Sequence, residues 1–173
     1  MTTETEARDH WAEAEPGIDL LETGDIDEAI RVLEAVILEN DENEYAYFFL
    51  GNAHFEQEAW DKALKAYLFA VERAPEYVGA MIGAGHALRM MGRERDAIRM
   101  AEQVLKRQAN DPDALYLLGV THFHLGNEAP AKRFLESYLA TRPEAEVDLE
   151  VRGMLEVLAG RVLPLESDDD TVN

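Results

Sequence analysis

Residues 47–75 read YFFLGNAHFEQEAWDKALKAYLFAVERAP, and this stretch decides the fold. Apolar residues recur at spacings of three and four, first from Tyr47 to His54 and again from Trp60 to Ala70. Such spacing places the apolar side chains along one stripe of a helix. The stretch therefore predicts two amphipathic helices joined by a short turn.

The same small residues return every 34 positions along the chain. They are Gly17, Gly51, Gly85, Gly119, Gly153, Ala29, Ala63, Ala97 and Ala131. A fixed period of this length is typical of stacked helical repeats, each of which buries its apolar face against a neighbour. Small side chains suit the place where two paired helices come closest, so we predict tight packing at Gly51 and Ala63. Gly24-Asp25 and Gly126-Asn127 predict a left-handed helix end followed by an N-cap.

This pattern resembles the tetratricopeptide repeat family. The matching residues are Tyr47, Leu50, Gly51, Ala63, Tyr67, Ala70 and Pro75 in the second unit, and Leu118, Gly119, Ala131 and Pro143 in the fourth. The resemblance implies an all-α right-handed superhelix (an α-solenoid) of four helix-turn-helix repeats at residues 10–43, 44–77, 78–111 and 112–145. It also implies a capping helix over 146–163. The acidic ends, 1–9 and 164–173, are expected to be disordered.

The first unit departs from the pattern at Pro16. A proline inside a helix removes one backbone hydrogen bond and clashes with the preceding turn. We therefore expect the first helix to kink at Pro16 or to begin there. The phase of Trp11 relative to its counterparts is left open.

Charge and composition exclude several classes of function. The chain has 173 residues, 36 acidic and 16 basic side chains, a net charge of −20 and no cysteine. Acidic residues concentrate at both ends, so phosphate repulsion disfavours nucleic acid as a partner. The absence of cysteine excludes thiolate metal sites and disulfides. The apolar runs are too short to span a membrane and the N-terminus does not resemble a secretory signal, so we expect a cytoplasmic protein.

We expect neither an enzyme nor a cofactor or metal. Gly83-Ala-Gly85 lacks the third glycine of a dinucleotide-binding loop, and Asp25-Ile-Asp27 lacks the remaining ligands of a calcium loop. His54 and His122 occupy a packing position of the family pattern. His122 and His124 lie on different sides of one helix and so cannot share a metal ion.

The resemblance implies that the first helices of successive repeats line a concave groove. The predicted peptide-binding residues are Tyr45, Phe48, Asn52, Phe55, Gly79, Ile82, Gly83, His86, Arg89, Tyr116, Val120 and Phe123. The set is mostly aromatic and aliphatic, and a contiguous apolar patch marks a binding site. We expect Gly79 and Gly83 to leave a hole opposite Phe48, Asn52 to hold a peptide backbone, and Arg89 to meet a carboxylate. Phe49 is expected either in this groove or in the core.

Three roles remain open within protein binding. The first is an adaptor or assembly factor that binds an apolar peptide or helical segment of a partner. The second is a cytoplasmic chaperone of a secreted protein, because Tyr47–Gly51 and Gly153–Leu158 are similar to stretches of type III secretion translocator chaperones. The third is a self-associating scaffold, seeded by a cationic stretch that comprises Arg89, Arg93, Arg95, Arg99, Lys106 and Arg107.

Overall fold

The computed structural model describes residues 9–160, and this range contains nine helices and no strand. The helices are α1 (His10–Thr23), α2 (Ile26–Glu39), α3 (Glu44–Glu56), α4 (Trp60–Arg73), α5 (Val78–Met90), α6 (Glu94–Arg107), α7 (Pro112–His124), α8 (Glu128–Ala140) and α9 (Ala145–Leu158). The predicted all-α fold of helix-turn-helix repeats is confirmed. The predicted disordered ends, apart from Asp9, and the last residues of the predicted capping helix lie outside the described range. Among the helices of that range, none combines the length and apolar character needed to cross a membrane.

The chain divides into two compact units, Met1–Ala109 and Asn110–Asn173. In the first unit the paired helices are α1 with α2, α3 with α4 and α5 with α6, and α2–α3 and α4–α5 contacts join the pairs. In the second unit α7 packs on α8, and α8 packs on α9.

The helices keep the 34-residue register of the sequence. The first helices of the pairs begin at His10, Glu44, Val78 and Pro112, and the second at Ile26, Trp60, Glu94 and Glu128. The alanines that repeat with this period have no exposed surface; they are Ala29, Ala63, Ala97 and Ala131. The repeated alanines therefore lie in the helix contacts, as their spacing predicts, whereas Gly153 of α9 is exposed.

The ends of the helices follow from short polar residues and glycines. Asn43 caps α3 by accepting a hydrogen bond from the Ala46 amide at 2.9 Å, and Asp111 caps α7 in the same way. Gly24 has a φ of +83° and ends α1 in the left-handed conformation, as predicted. The predicted side-chain cap at Asp25 is wrong, because within the described residues this carboxylate accepts no hydrogen bond from the start of α2.

The first helix continues through Pro16. It starts at His10, where the side chain of Asp9 accepts a hydrogen bond from the Ala12 amide, so the expectation that the helix begins at Pro16 is wrong. Packing sustains the helix past the proline, since Gly17 lies against Leu33 so closely that a Cβ there would meet the leucine at 2.6 Å. α1 therefore keeps the register of the later repeats.

Candidate functional site

Helix α3 presents two opposite faces with different roles. Tyr47, Leu50 and His54 are buried, and they lie on one side of the helix. Tyr45 and Phe48 are only partly buried, and the helical period places them on the other side. This second side carries most of the binding residues predicted for the second repeat.

Five aromatic rings on this side contact one another and form what we call the aromatic surface. Its members are Trp11, Tyr45, Phe48, Phe49 and Tyr77. Trp11 of α1 packs edge-on against Tyr45 and Phe49 of α3, with ring centroids 5.3 and 5.8 Å apart. Tyr77 lies just before α5, and its ring centroid is 5.6 Å from that of Tyr45 and 4.9 Å from that of Phe48. The surface thus joins the first helices of three successive repeats within the first unit. Trp11 remains 46% exposed to solvent.

The sequence prediction missed Trp11 and Tyr77 as members of this surface. Trp11 precedes Tyr45 by one 34-residue period, so the repeat alone places it in line once α1 is known to run through Pro16. Tyr77 is the N-cap residue of α5, outside the helical period, and the periodicity carried no signal for it.

Phe49 lies between core and surface. It is partly buried against a core cluster that includes Ala14, Ile18 and Leu50, and its ring centroid lies 5.0 Å from that of Phe48 in an edge-to-face arrangement. Phe49 therefore lies partly in the core and partly at the aromatic surface.

The predicted hole at Gly83 is wrong. A Cβ on Gly83 would lie 2.6 Å from Cε1 of Tyr67, so the tyrosine ring already occupies the space that the glycine leaves. A Cβ on Gly51 would meet the same ring at 2.6 Å. Tyr67 of α4 is thus wedged between α3 and α5 and is only 3% exposed. Gly83 serves the packing of this ring and does not open a site for a partner.

Gly79 borders the aromatic surface directly. A Cβ there would lie 3.2 Å from the Tyr77 ring and 3.5 Å from the Phe48 ring. Phe48 therefore lies over Gly79, as expected, but the space between them is filled by these two rings.

Asn52 is held in place by the wedged tyrosine. The hydroxyl of Tyr67 donates to Oδ1 of Asn52 at 2.8 Å. Burial raises the pKa of Tyr67, and the nearby Glu56 adds to that shift, so the hydroxyl stays protonated as a donor. Because the oxygen of Asn52 is engaged, the amide nitrogen is the group that Asn52 offers to a ligand.

Other predicted residues of the first unit divide between core and surface. Phe55 is partly buried and packs edge-on against Trp60, with centroids 4.7 Å apart. Ile82 is 7% exposed, so the prediction that it faces a partner is wrong in this structure. It belongs to the buried stripe of α5 instead.

His86 and Arg89 lie on the same face of α5, three residues apart. Burial, followed by the charge of Arg89, lowers the pKa of His86 to about 4, so its imidazole is neutral at pH 7. Within residues 9–160, Nε of Arg89 is buried and has no hydrogen-bond partner. A partly buried guanidinium of this kind is suited to an anionic group of a ligand.

The second unit holds the remaining predicted residues. Tyr116 of α7 packs against Tyr138 of α8 at 5.3 Å and donates its hydroxyl to Glu150 of α9 at 3.2 Å. Phe123 is partly buried, whereas Val120 is only 3% exposed and belongs to the core of α7. The expectation that Val120 contacts a partner is therefore wrong in this structure.

Half of the cationic stretch proposed for self-association makes contacts within the chain. Arg93 and Arg99 both bind the carboxylate of Asp96, and Arg93 does so at 2.7 Å. Arg107 donates to the backbone oxygen of Pro75 at 2.6 Å. In the part of the chain that the structure describes, no group of three or more histidine and carboxylate side chains is placed to hold a metal ion.

Comparison with family models identifies the repeats. Two models, both described as "Tetratricopeptide repeat", match residues 17–78 and residues 88–151. Among curated proteins, the chain is similar to "Superkiller complex protein 3" of Homo sapiens, with 23% identity over 119 residues. That alignment covers 69% of this chain but only 8% of the human protein.

Solved structures share the fold at low sequence identity. "MamA 41-end from Desulfovibrio magneticus RS-1" is 17% identical with a TM-score of 0.73, over 89% of this chain and 88% of that one. YrrB, described as "a TPR protein with an unusual peptide-binding site", is 14% identical with a TM-score of 0.68, over 90% of this chain and 80% of that one. At these identities the likeness shows a common fold alone.

Proposed function

Because the chain belongs to the tetratricopeptide repeat family, we propose that it is a non-enzymatic protein-interaction module whose aromatic surface holds an apolar segment of a partner protein. The segment is a short extended peptide or a single helical face. In this role the chain acts as an adaptor or an assembly factor.

The observation that carries this proposal is the contact between five partly exposed rings on helices α1 and α3 and at the start of α5. Isolated aromatic side chains on a surface need no explanation, but a contiguous patch is unusual in a chain with net charge −20. Rings that pack against one another have little rotamer freedom left, so this chain loses little side-chain entropy when a partner binds to them. Trp11 is the most exposed ring of the aromatic surface, and it anchors the segment of the partner.

Polar groups at the edge of the aromatic surface fix the direction in which the segment of the partner binds. Asn52, which Tyr67 orients, donates its amide to a backbone carbonyl of the segment. Arg89, with its buried Nε, receives an acidic or polar group beyond the apolar part. Because its Nε is shielded from solvent, a charge-assisted bond at Arg89 is worth more than one at an exposed arginine.

The peptide binding named for YrrB belongs to that protein, and for this chain it is part of the proposal. The chaperone and scaffold roles both remain predictions that the identity of the partner would decide. The internal pairing of Arg93, Arg99 and Arg107 favours the adaptor over the scaffold.

Selection from a random peptide library tests the proposal, because the protein itself then chooses the segments that it binds. Peptides that bind the wild type are sequenced without reference to any variant, and calorimetry then measures their dissociation constants for the wild type and for each variant. We expect the selected peptides to carry apolar anchors, and Trp11→Ala to lower their affinity about 10-fold or more, as is usual for an aromatic residue that dominates an interface. Asn52→Ala should weaken the same peptides by a smaller factor.

Trp11 is a better probe than Phe48, because Phe48 also packs on two core clusters and its truncation would disturb the fold. Arg99→Ala on α6 is the matched control and should leave binding unchanged. If the selected peptides bind Trp11→Ala and Asn52→Ala as tightly as wild type, while Arg99→Ala loses them, the aromatic surface is not the binding site.

A further inference from the structure

A second concave site lies on the opposite side of α3 from the aromatic surface. This pocket, of about 280 Å³, is lined by Glu34, Ile37, Tyr47, Leu50, His54, Lys62, Lys65, Ala66 and Phe69. Its walls come from α2 and α4 and its floor from α3, so it belongs wholly to the first unit. The lining is apolar and aromatic, with a few polar groups, as in small-molecule sites.

The pocket exists because the second repeat departs from the others at Ala66. The residues one period before and after it are Val32 and Met100, and the residue two periods after it is Phe134. Each of these side chains is larger than alanine and would fill the space. Ala66 is almost fully buried and lines the pocket, so a larger side chain at this position would project into it.

The polar groups of the pocket also depart from the repeat. Lys62 stands where the neighbouring repeats have Glu28 and Asp96, so the rim gains a positive charge beside Lys65. In the range 9–160 neither lysine makes an ion pair within 4 Å, while Lys65 lies 5.8 Å from the Phe69 ring. Glu34 offsets one of the two charges, so the residues that line the pocket carry one net positive charge.

His54 adds an unsatisfied polar group to the wall. The residue is 9% exposed, and its Nδ1 is buried without a hydrogen-bond partner among the described residues. Buried polar atoms are normally paired, and an unpaired one commonly indicates a missing ligand or water. The corresponding residue of the next repeat is Leu88, which fits a core position without this feature.

We propose that the pocket binds a small organic monocarboxylate, with its apolar acyl or aryl body over Leu50 and Ala66 and its carboxylate between Lys62 and Lys65. A peptide strand suits the pocket less well, because every lining residue lies on a helix whose backbone groups are already paired. The volume also fits one compact apolar group. Binding here is independent of the aromatic surface, which lies on the other face of α3.

Octanoate and its uncharged counterpart octanamide are the probes, titrated into the full chain and followed by amide and imidazole NMR signals. We expect octanoate to bind saturably with one site, shifting signals of the lining residues and of the His54 ring. Octanamide should bind about 5-fold or more weakly, because two partly exposed ion pairs each contribute a few-fold.

Matched variants separate the charge from the cavity. Lys62→Gln combined with Lys65→Gln should lower the affinity for octanoate about 5-fold and leave the affinity for octanamide unchanged. Lys106→Gln on α6 is the control and should change neither affinity. Ala66→Met, the residue found one repeat later, should remove saturable binding of both probes, with folding verified by circular dichroism. His54→Leu keeps a side chain of similar size but removes the buried, unpaired Nδ1, so it should lower the affinity for octanoate.

Three outcomes would overturn the proposal. The first is an absence of saturable binding, and the second is equal affinity for octanoate and octanamide. The third is loss of octanoate binding in Trp11→Ala with retention in the double lysine variant, which would place the probe on the aromatic surface. Since peptide selection uses Trp11→Ala and this test uses the pocket variants, failure of one does not entail failure of the other.

Discussion

Replacing Gly83 by alanine measures how tightly Tyr67 is wedged between α3 and α5. The new Cβ would lie 2.6, 2.7 and 2.9 Å from three atoms of the Tyr67 ring, closer than a methyl group and a ring carbon can approach. The ring cannot move away, because Gly51 is equally close to it and its hydroxyl is bonded to Asn52.

Two effects of opposite sign decide the outcome of this substitution. Alanine gains about 0.5–1 kcal/mol over glycine in a helix interior. Overpacking a well-filled core costs about 1–3 kcal/mol. Because the clash involves a rigid ring held on both sides, overpacking should win, and Gly83→Ala should lower the free energy of unfolding by about 1–2 kcal/mol.

Gly79→Ala on the same helix is the matched control. Its Cβ would lie 3.2 Å from the Tyr77 ring and 3.5 Å from the Phe48 ring, so a shift of a few tenths of an ångström in the partly buried Tyr77 ring relieves the contact. The helix-propensity gain should then dominate, so Gly79→Ala should be neutral or stabilising by up to about 1 kcal/mol.

Urea denaturation followed by circular dichroism gives both values, and a double-mutant cycle with Tyr67→Leu assigns the cause. Once the ring is removed, Gly83→Ala should lose most of its penalty, giving a coupling energy of about 1 kcal/mol or more. The reasoning is refuted if Gly83→Ala stabilises the chain as Gly79→Ala does, or if its penalty is the same with leucine at position 67.

Three further predictions concern the turn after α3, the support of Asn52 and the ionisation of His86. Glu58 has a φ of +56° where other repeats have glycine, so Glu58→Gly should stabilise the chain by about 0.5–1 kcal/mol in thermal denaturation, whereas Glu58→Ala should not. Tyr67→Phe should cost about 1 kcal/mol of stability by removing the bond to Asn52, and it should weaken a selected peptide as Asn52→Ala does. The pKa of His86 falls from 6.5 to about 4 on folding, so between these pH values the unfolded chain binds more protons and the free energy of unfolding should decrease as the pH is lowered. His86→Gln should reduce that decrease by about 1–2 kcal/mol in pH-dependent urea titrations.

The helices and their phase were predictable because each repeat must pack on its neighbour in the same way. Alanines that recur every 34 residues can only be retained in register if they occupy the same contact, and Ala63 and Ala97 are indeed without exposed surface. The left-handed end at Gly24 was equally local, since glycine alone adopts that conformation without strain.

The details of the candidate site depend on contacts that periodicity does not contain. Gly83 was expected to leave a hole, but the rotamer of Tyr67, sixteen residues earlier on another helix, decides what fills it. Ile82 was expected in the groove from its position in the family pattern, but its side chain is packed away from solvent and only 7% of the residue is exposed. Pro16 was expected to kink α1 or to begin it, and the helix instead begins six residues earlier, at His10, with Gly17 packed on Leu33.

The fluorescence of Trp11 tests the central claim most directly. The chain has two tryptophans, so Trp60→Phe leaves Trp11 as the one emitting indole. When a library-selected peptide is added to this variant, we predict that the emission moves to shorter wavelength and that Trp11 becomes protected from acrylamide quenching, both with the peptide's own dissociation constant. If Trp11 stays as quenchable at peptide saturation as in the free protein, the partner does not bind the aromatic surface.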